Sequence, residues 1–339
     1  MSLQAHNREK RTIKVSMILI AICTIAVLIS LNTGTIRLPP MNVIQTFLGY
    51  GTPDDKLVLF DYRLPRILIT MLAGIGLGVS GAILQGISRN GLADPGILGL
   101  HAGSALGLIA FVSFFHSMKE SSAILIPLFT FAGGVLTAVL IVILAYDRHK
   151  GLLPIRLILI GIAVAAGFSA ITLYFSLLLD ETTYAFTARW LVGNVWGRDW
   201  IHVMALLPWI VIFAPYAWFQ SKTLNAFSLG DEVAVGIGAA VHRKRLLLLM
   251  TAVALSSASV AVAGGIGFIG LVAPHLARRL VGPMHQHFLP IAGLIGLVIL
   301  VVADTVGRSL FQPNAIPAGI VVAAIGAPYF LYLLAKTKS

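Results

Sequence analysis

The run Gly264-Gly-Ile-Gly-Phe-Ile-Gly-Leu-Val-Ala-Pro-His-Leu-Ala-Arg-Arg-Leu280 decides how this chain is read. Its first half is apolar and glycine-rich, as befits a segment inside a bilayer. Its second half holds Pro274, His275, Arg278 and Arg279, which belong at an aqueous face. The glycines at 264, 265, 267 and 270 let neighbouring helices approach closely, which is how membrane helices pack when lipid gives no hydrophobic drive between them. Alone, the run would be an ordinary membrane helix with a basic stop. The rest of the chain asks for more than that.

Of 339 residues, 58% are hydrophobic and 11% are charged. A soluble fold has too little interior for so much apolar surface, so lipid must solvate part of it. The single cysteine, Cys23, lies in an apolar run, which excludes an intrachain disulfide and a thiolate metal cluster. The formal charge of +11 is scattered between apolar runs and forms no continuous patch, which argues against nucleic acid as a partner. Basic residues before the run Val15–Leu31 superficially suggest a secretory signal. No small-x-small cleavage site follows, so the run is expected to be an uncleaved first span with its basic end in the cytoplasm.

Apolar runs of about 17–25 residues predict ten spans, near 15–31, 65–87, 96–116, 122–145, 154–178, 200–219, 246–263, 265–280, 288–306 and 316–335. The expected fold is therefore an all-α polytopic membrane protein with both termini cytoplasmic. Its membrane domain covers 15–335, with short cytoplasmic tails at 1–14 and 336–339. Charge supports this orientation: 16 of the 24 Lys and Arg fall on inner segments and 8 on outer ones. The break at Ala263-Gly264-Gly265 is the weakest in the apolar pattern and is read as a tight turn. Outside, residues 180–199 carry Tyr184, Trp190 and Trp196, with Trp200 just beyond. Such tryptophans most often anchor helix ends in the headgroups. Inside, residues 220–245 hold Ser228 three positions before Asp231, a capping-box-like start. Val233, Ala234 and Ile237 follow at helical spacing, as in a short amphipathic helix that docks a partner or lies on the membrane surface.

Several motifs reduce to simpler readings. Gly76-Leu-Gly-Val-Ser-Gly81 matches the dinucleotide fingerprint, but no soluble strand precedes it; Gly74 and Gly78 are better read as a small-xxx-small packing face. No Gly-x4-Gly-Lys-Ser/Thr occurs, so any ATP hydrolysis driving this chain would sit on another subunit. His275, His285 and His287 have no neighbouring carboxylate or thiol, so no metal site is assigned to them. Asp94 and Asp304 lie near span ends, and the span middles hold almost no ionisable groups. Ion-coupled carriers usually place such groups at mid-membrane depth. A proton- or sodium-driven carrier and a membrane enzyme are therefore the weaker readings.

Six ordered motifs resemble the FecCD family of permease subunits, found in ABC importers for ferric siderophores, haem and vitamin B12. They are Arg63-Leu-Pro-Arg66 with Gly81-Ala-Ile-Leu-Gln85; Asn90-Gly-Leu-Ala-Asp-Pro95 with Leu98-Gly99; Leu229-Gly-Asp-Glu232 through Gly236-Ile-Gly238; Gly267-Phe-Ile-Gly-Leu-Val-Ala-Pro-His275 with Arg278; Ala303-Asp304 with Arg308; and Pro317-Ala-Gly319 with Gly326-Ala-Pro328. The resemblance implies a second permease copy or relative, two ATPase subunits inside that carry the ATP and magnesium, and an extracytoplasmic binding protein. It places the chain in a bacterial cytoplasmic membrane, with no cofactor of its own. It also implies residue roles. Arg63, Arg66 and Arg308 would meet acidic side chains of the binding protein, while Asn90 and Leu92 would help form a cytoplasmic gate. Leu229, Gly230, Asp231, Glu232, Gly236 and Gly238 would lie in the ATPase coupling loop. Gly91 stands where the family usually has proline, which loosens that turn. A ferric siderophore is the expected cargo, with vitamin B12 or haem as the alternatives.

Overall fold

A computed structural model describes residues 2–34, 36, 38–115, 122–148, 151–238, 240–310 and 315–337. Among these, the helices are α1 (Ser2–Asn32), α2 (Pro40–Phe47), α3 (Pro53–Lys56), α4 (Leu64–Ser88), α5 (Leu100–Phe114), α6 (Ser122–Ala145), α7 (Pro154–Ser176) and α8 (Glu181–Leu191). They continue as α9 (Trp200–Phe219), α10 (Ser221–Ser228), α11 (Asp231–Gly236), α12 (Val241–Ala263), α13 (Ile269–Val281), α14 (His285–Ser309) and α15 (Ala318–Thr337). A π-helical stretch, Leu57–Arg63, joins α3 to α4. The strands β1 (Tyr146–Asp147) and β2 (Gly151–Leu152) pair antiparallel in a small hairpin. Arg37, Lys119, Lys150 and Lys338, which entered the charge count, lie outside the described residues.

Eight helical stretches are long and apolar enough to cross a membrane. Two of the ten expected spans are shorter. α5 has 15 residues and α13 has 13. At 1.5 Å per residue these reach only about 20–22 Å, against a hydrocarbon core of about 30 Å. In both cases non-helical backbone precedes the helix. Before α5, Pro95 interrupts the helical pattern, Asp94 Oδ1 accepts from Gly96 N at 2.7 Å, and Gly99 takes a left-handed φ of 83°. Before α13, Gly264 at φ 82° ends α12 and Phe268 at φ 66° opens the next helix. The break expected near Gly264 is thus a five-residue irregular segment, 264–268. Its Gly265 N donates to Trp190 O at 3.3 Å. Irregular backbone in a membrane protein is tolerated where protein covers and bonds it.

α4 runs through the middle of the bundle, packed by α9, α12, α13 and α14. Glycine makes this possible. A Cβ at Gly74 would stand 2.5 Å from Gly296 O, and one at Gly78 would collide with Ala292 O. A Cβ at Gly81 would strike the backbone of Gly270, whose own Cβ would meet Asp94 and Pro95 at 2.7 Å. The fingerprint-like glycines are therefore helix-packing positions. Backbone contact of this kind lets dispersion and weak polar contacts act where the hydrophobic effect cannot.

Polar contacts separate into two ends. At one end Trp200 Nε1 donates to Phe60 O at 2.9 Å, Gly319 N donates to Gly193 O at 3.1 Å, and Arg66 pairs with Asp304. At the other, Trp218 Nε1 donates to Gln286 O at 3.0 Å, Arg11 reaches Arg279 O at 3.4 Å, and Arg245 pairs with Asp231. The loop around α8 belongs to the first end, and part of it packs into the core. Trp190 is only 2% exposed, beneath Gly264 and Gly265, so it is a core residue and not a headgroup anchor; Trp196 is exposed. Asp180 caps α8 by accepting from Thr182 N and Thr183 N, and Asp199 caps α9 by accepting from Ile201 N and His202 N.

A Gly81→Val substitution should lower the melting temperature of the detergent-solubilised protein by several degrees and reduce its yield from membranes. Gly167→Ala, where a Cβ meets nothing within 4 Å, should leave both unchanged. Parallel thermal-shift measurements on the two variants check this.

Candidate functional site

The first end holds a cavity of about 270 Å³ whose lining includes Gly34, Tyr62, Arg63, Arg66, Trp196, Arg198 and Arg308. Four arginines converge on it from three parts of the chain. Arg66 forms a forked pair with Asp304: Nε lies 2.9 and 3.1 Å from the two carboxylate oxygens, and Nη2 lies 2.7 Å from Oδ1. Arg308 Nε stands 3.6 Å from Asp304 Oδ2, one helical turn along α14. Arg63 donates to the carbonyls of Leu31 and Ile36, and Arg308 donates to Ser30 and Thr33. The turn after α1 is therefore wrapped around two guanidinium groups, whose fixed fork of donors suits several carbonyls at once.

Arg63 and Arg308 are not free rim charges. They are 6% and 8% exposed, whereas Arg66 keeps 17% of its side chain accessible. Arg198 is the member of the cluster that the sequence motifs did not single out. It is half-buried; burial pulls its guanidinium down to about 10, with Asp199 acting in the opposite sense, so it stays charged at neutral pH. Its position just before a span, between Trp196 and Asp199, was the available signal.

The second end brings together the Asn90–Ala93 turn and the loop helices α10 and α11. Asn90 Oδ1 accepts from Leu92 N at 2.9 Å, and Ala93 N donates to Asn90 O at 3.1 Å. The turn is closed by its asparagine whether or not proline follows. Gly91 is exposed and a Cβ there would meet nothing within 4 Å.

The capping box expected from Ser228 to Asp231 does not form. Ser228 is the last residue of α10 and its hydroxyl donates to Leu224 O at 3.1 Å. Gly230, at φ 105°, supplies the N-cap of α11 instead. The Asp231 carboxylate turns away to Arg245, 2.6 Å from its Nη2. That hydrogen bond holds Asp231 below the usual carboxylate range; the nearby charges of Arg245, Arg89 and His242 act the same way, and partial burial opposes them. Ala234 is buried, and Leu229, Val233, Val235 and Ile237 are exposed. The helix expected here forms, but it is only six residues long and Ile237 lies just beyond its end, so Val233, Ala234 and Ile237 do not make one apolar face; the exposed apolar side chains sit beside Gly236 and Gly238. Glu232 lies in its first turn, where the helix dipole favours acids.

His285 Nδ1 lies 2.8 Å from Asn225 Oδ1, and His275 stacks edge-on to Tyr329 at 5.8 Å. Among the described residues, no group of three potential metal-ligating side chains comes together.

Breaking the buried pair at the first end should be costly, because one charge is left unpaired away from water. Asp304→Ala should destabilise the protein by about 3–5 kcal/mol. Asp147→Ala, which removes a partner of the more exposed Arg156, should cost less than about 1 kcal/mol. Denaturant unfolding of the two variants in one detergent compares them.

The FecCD transport family profile matches residues 22–336. The iron(3+)-hydroxamate import system permease protein FhuG of Bacillus subtilis is 46% identical over 314 residues, covering 91% of this chain and 93% of that protein. The Fe(3+) dicitrate transport system permease protein FecD of Escherichia coli is 35% identical over 311 residues, covering 92% and 95%. A solved structure described as an inward-facing conformation of a metal-chelate type ABC transporter superposes with a TM-score of 0.83 at 32% identity, covering 95% of this chain and 99% of that one. With its glycine-packed central helix, its arginine-lined cavity and its short loop helices at the opposite end, this chain belongs to the FecCD transport family.

Proposed function

We propose that this chain is the permease subunit of an ATP-driven importer that carries a ferric siderophore across the bacterial cytoplasmic membrane. The observation that carries the reading is the separation of two unlike sites to opposite ends of one bundle. One end is a cluster of arginines around a cavity; the other is an exposed apolar knob beside a turn that closes the end of α4. Relatives named for ferric hydroxamate and ferric dicitrate import support the class of cargo. A second permease subunit would complete the translocation path. Both chain termini would lie in the cytoplasm, on the side of α10 and α11.

The arginine end would face outward and receive the binding protein. Arg66, Arg63 and Arg308, joined by Arg198, give the outer mouth a positive potential that steers acidic lobes into register. Arg66, the most accessible of the first three, would make the direct contact. At the inner end the patch of Leu229, Val233, Val235 and Ile237 would enter a cleft of one ATPase subunit, with Gly230, Asp231, Glu232, Gly236 and Gly238 shaping the loop. Movement of that loop would open and close the path at Asn90 and Leu92 by rigid-body displacement. ATP and its magnesium would stay on the ATPase.

Radioiron uptake from a panel of ferric siderophores, in cells with and without the gene, tests the reading. Gene-dependent uptake of one chelate class, lost on ATP depletion but retained with an uncoupler at maintained ATP, is the expected result. Loss of cobalamin uptake with iron uptake unchanged would overturn the cargo. A second outcome is expected from Ile237→Asp: the solubilised permease should retain its fold and lose most of its co-purifying ATPase.

A further inference from the structure

Arg89 ends α4 in the left-handed conformation, at φ 54°. Residues with a Cβ seldom take that backbone, and such sites cluster where structure is held for a purpose. The residue leads directly into the Asn90–Ala93 turn. Its Nη2 lies 3.5 Å from Asp231 Oδ1, across the gap between the end of α4 and the start of α11. The same oxygen accepts the 2.6 Å hydrogen bond from Arg245 Nη2.

The two arginines on this one oxygen are unlike. Arg245 is buried, and two further contacts hold it besides Asp231. Its Nη1 donates to Leu152 O at 3.2 Å, and its guanidinium lies 5.3 Å from the ring centroid of Phe227 on α10. With its base on α12, it therefore ties α10, α11, α12 and the hairpin into one block. Removing its carboxylate would strand a buried charge. Arg89 is half open to solvent and its contact is long. An ion pair of that kind is weak, so it can break and reform without disturbing either helix. One carboxylate thus has a permanent partner on the loop side and a releasable partner on the turn side.

We propose that Asp231 is a positioning residue that links α11 to the Asn90–Leu92 turn: fixed to the loop block by Arg245, it holds Arg89, and displacement of α11 makes or breaks that hold. The link has two discrete arrangements, Arg89 bound or released, which is what coupling between two sites requires. It rests on the reading of α11 as the ATPase-docking element and of the turn as part of the gate. It adds the charge contact through which the one would act on the other.

The test uses the complete importer in proteoliposomes, with ATP hydrolysis and ferric-siderophore uptake measured on the same preparation. Arg89→Glu places two carboxylates face to face. It should leave ATPase association and hydrolysis near the unmodified level while uptake falls about tenfold, a size usual for coupling between sites. Arg89→Lys should restore most of the uptake. The pair Arg89→Gln and Asp231→Asn should be non-additive, the double variant losing no more uptake than Asp231→Asn alone. Unchanged uptake in Arg89→Glu would overturn the link. So would uptake and hydrolysis falling in proportion, or additive losses in the cycle, since either would indicate a purely structural role. If the unmodified chain binds no ATPase or moves no ferric chelate, the permease reading fails first, and that result is distinct from the others.

Discussion

The close approach of α4 to its neighbours is the constraint on which the rest depends. In lipid, helices cannot be driven together by escape from water, so contact must come from shape. Gly74, Gly78 and Gly81 let the backbone of α4 touch those of α14 and α13, at Gly296, Ala292 and Gly270. This fixes both ends of α4 at once. Its start presents Arg66 to Asp304 on α14, and its end delivers Arg89 and the Asn90 turn to the loop helices.

The two ends use charge differently. At the arginine cavity, guanidinium groups are embedded in carbonyls and one buried aspartate, so they are part of the scaffold as well as of the surface potential. At the opposite end, Asp231 is shared between a buried and an exposed arginine. Embedded charge gives rigidity, since every alternative arrangement leaves an unpaired group in a dry site. Shared, half-exposed charge permits exchange.

Much of this was legible in the sequence. Apolar run length and the bias of Lys and Arg led to a multi-span membrane protein, and the ordered motifs led to the family that the profile and relatives then identified. The small-residue spacing of Gly74 and Gly78 was read as packing, which is what the backbone contacts are. Length alone misjudged the helical extent of α5 and α13, because an apolar run does not reveal that Pro95 or Gly264 will hold its first residues in irregular backbone. Ser228 was given a capping role that its own i−4 carbonyl took instead, a competition that spacing does not decide. The burial of Arg63 and Arg308 was hidden for a different reason: their partners are main-chain carbonyls near residues 30–36, and carbonyls have no signature in a sequence. Arg245 and Arg89 were counted only as inner charges, since their meeting on Asp231 depends on tertiary structure.

The account stands on the assignment of the arginine cavity and the α10–α11 knob to opposite faces of the membrane. The direct measurement is labelling by a membrane-impermeant thiol reagent of single cysteines placed at Trp196 and Ile237, both exposed, with Cys23 replaced by serine. Labelling of the Trp196 site in intact cells, and of the Ile237 site only after the membrane is opened, is the predicted result. Labelling of both sites from the same side, or in the reverse order, would contradict it.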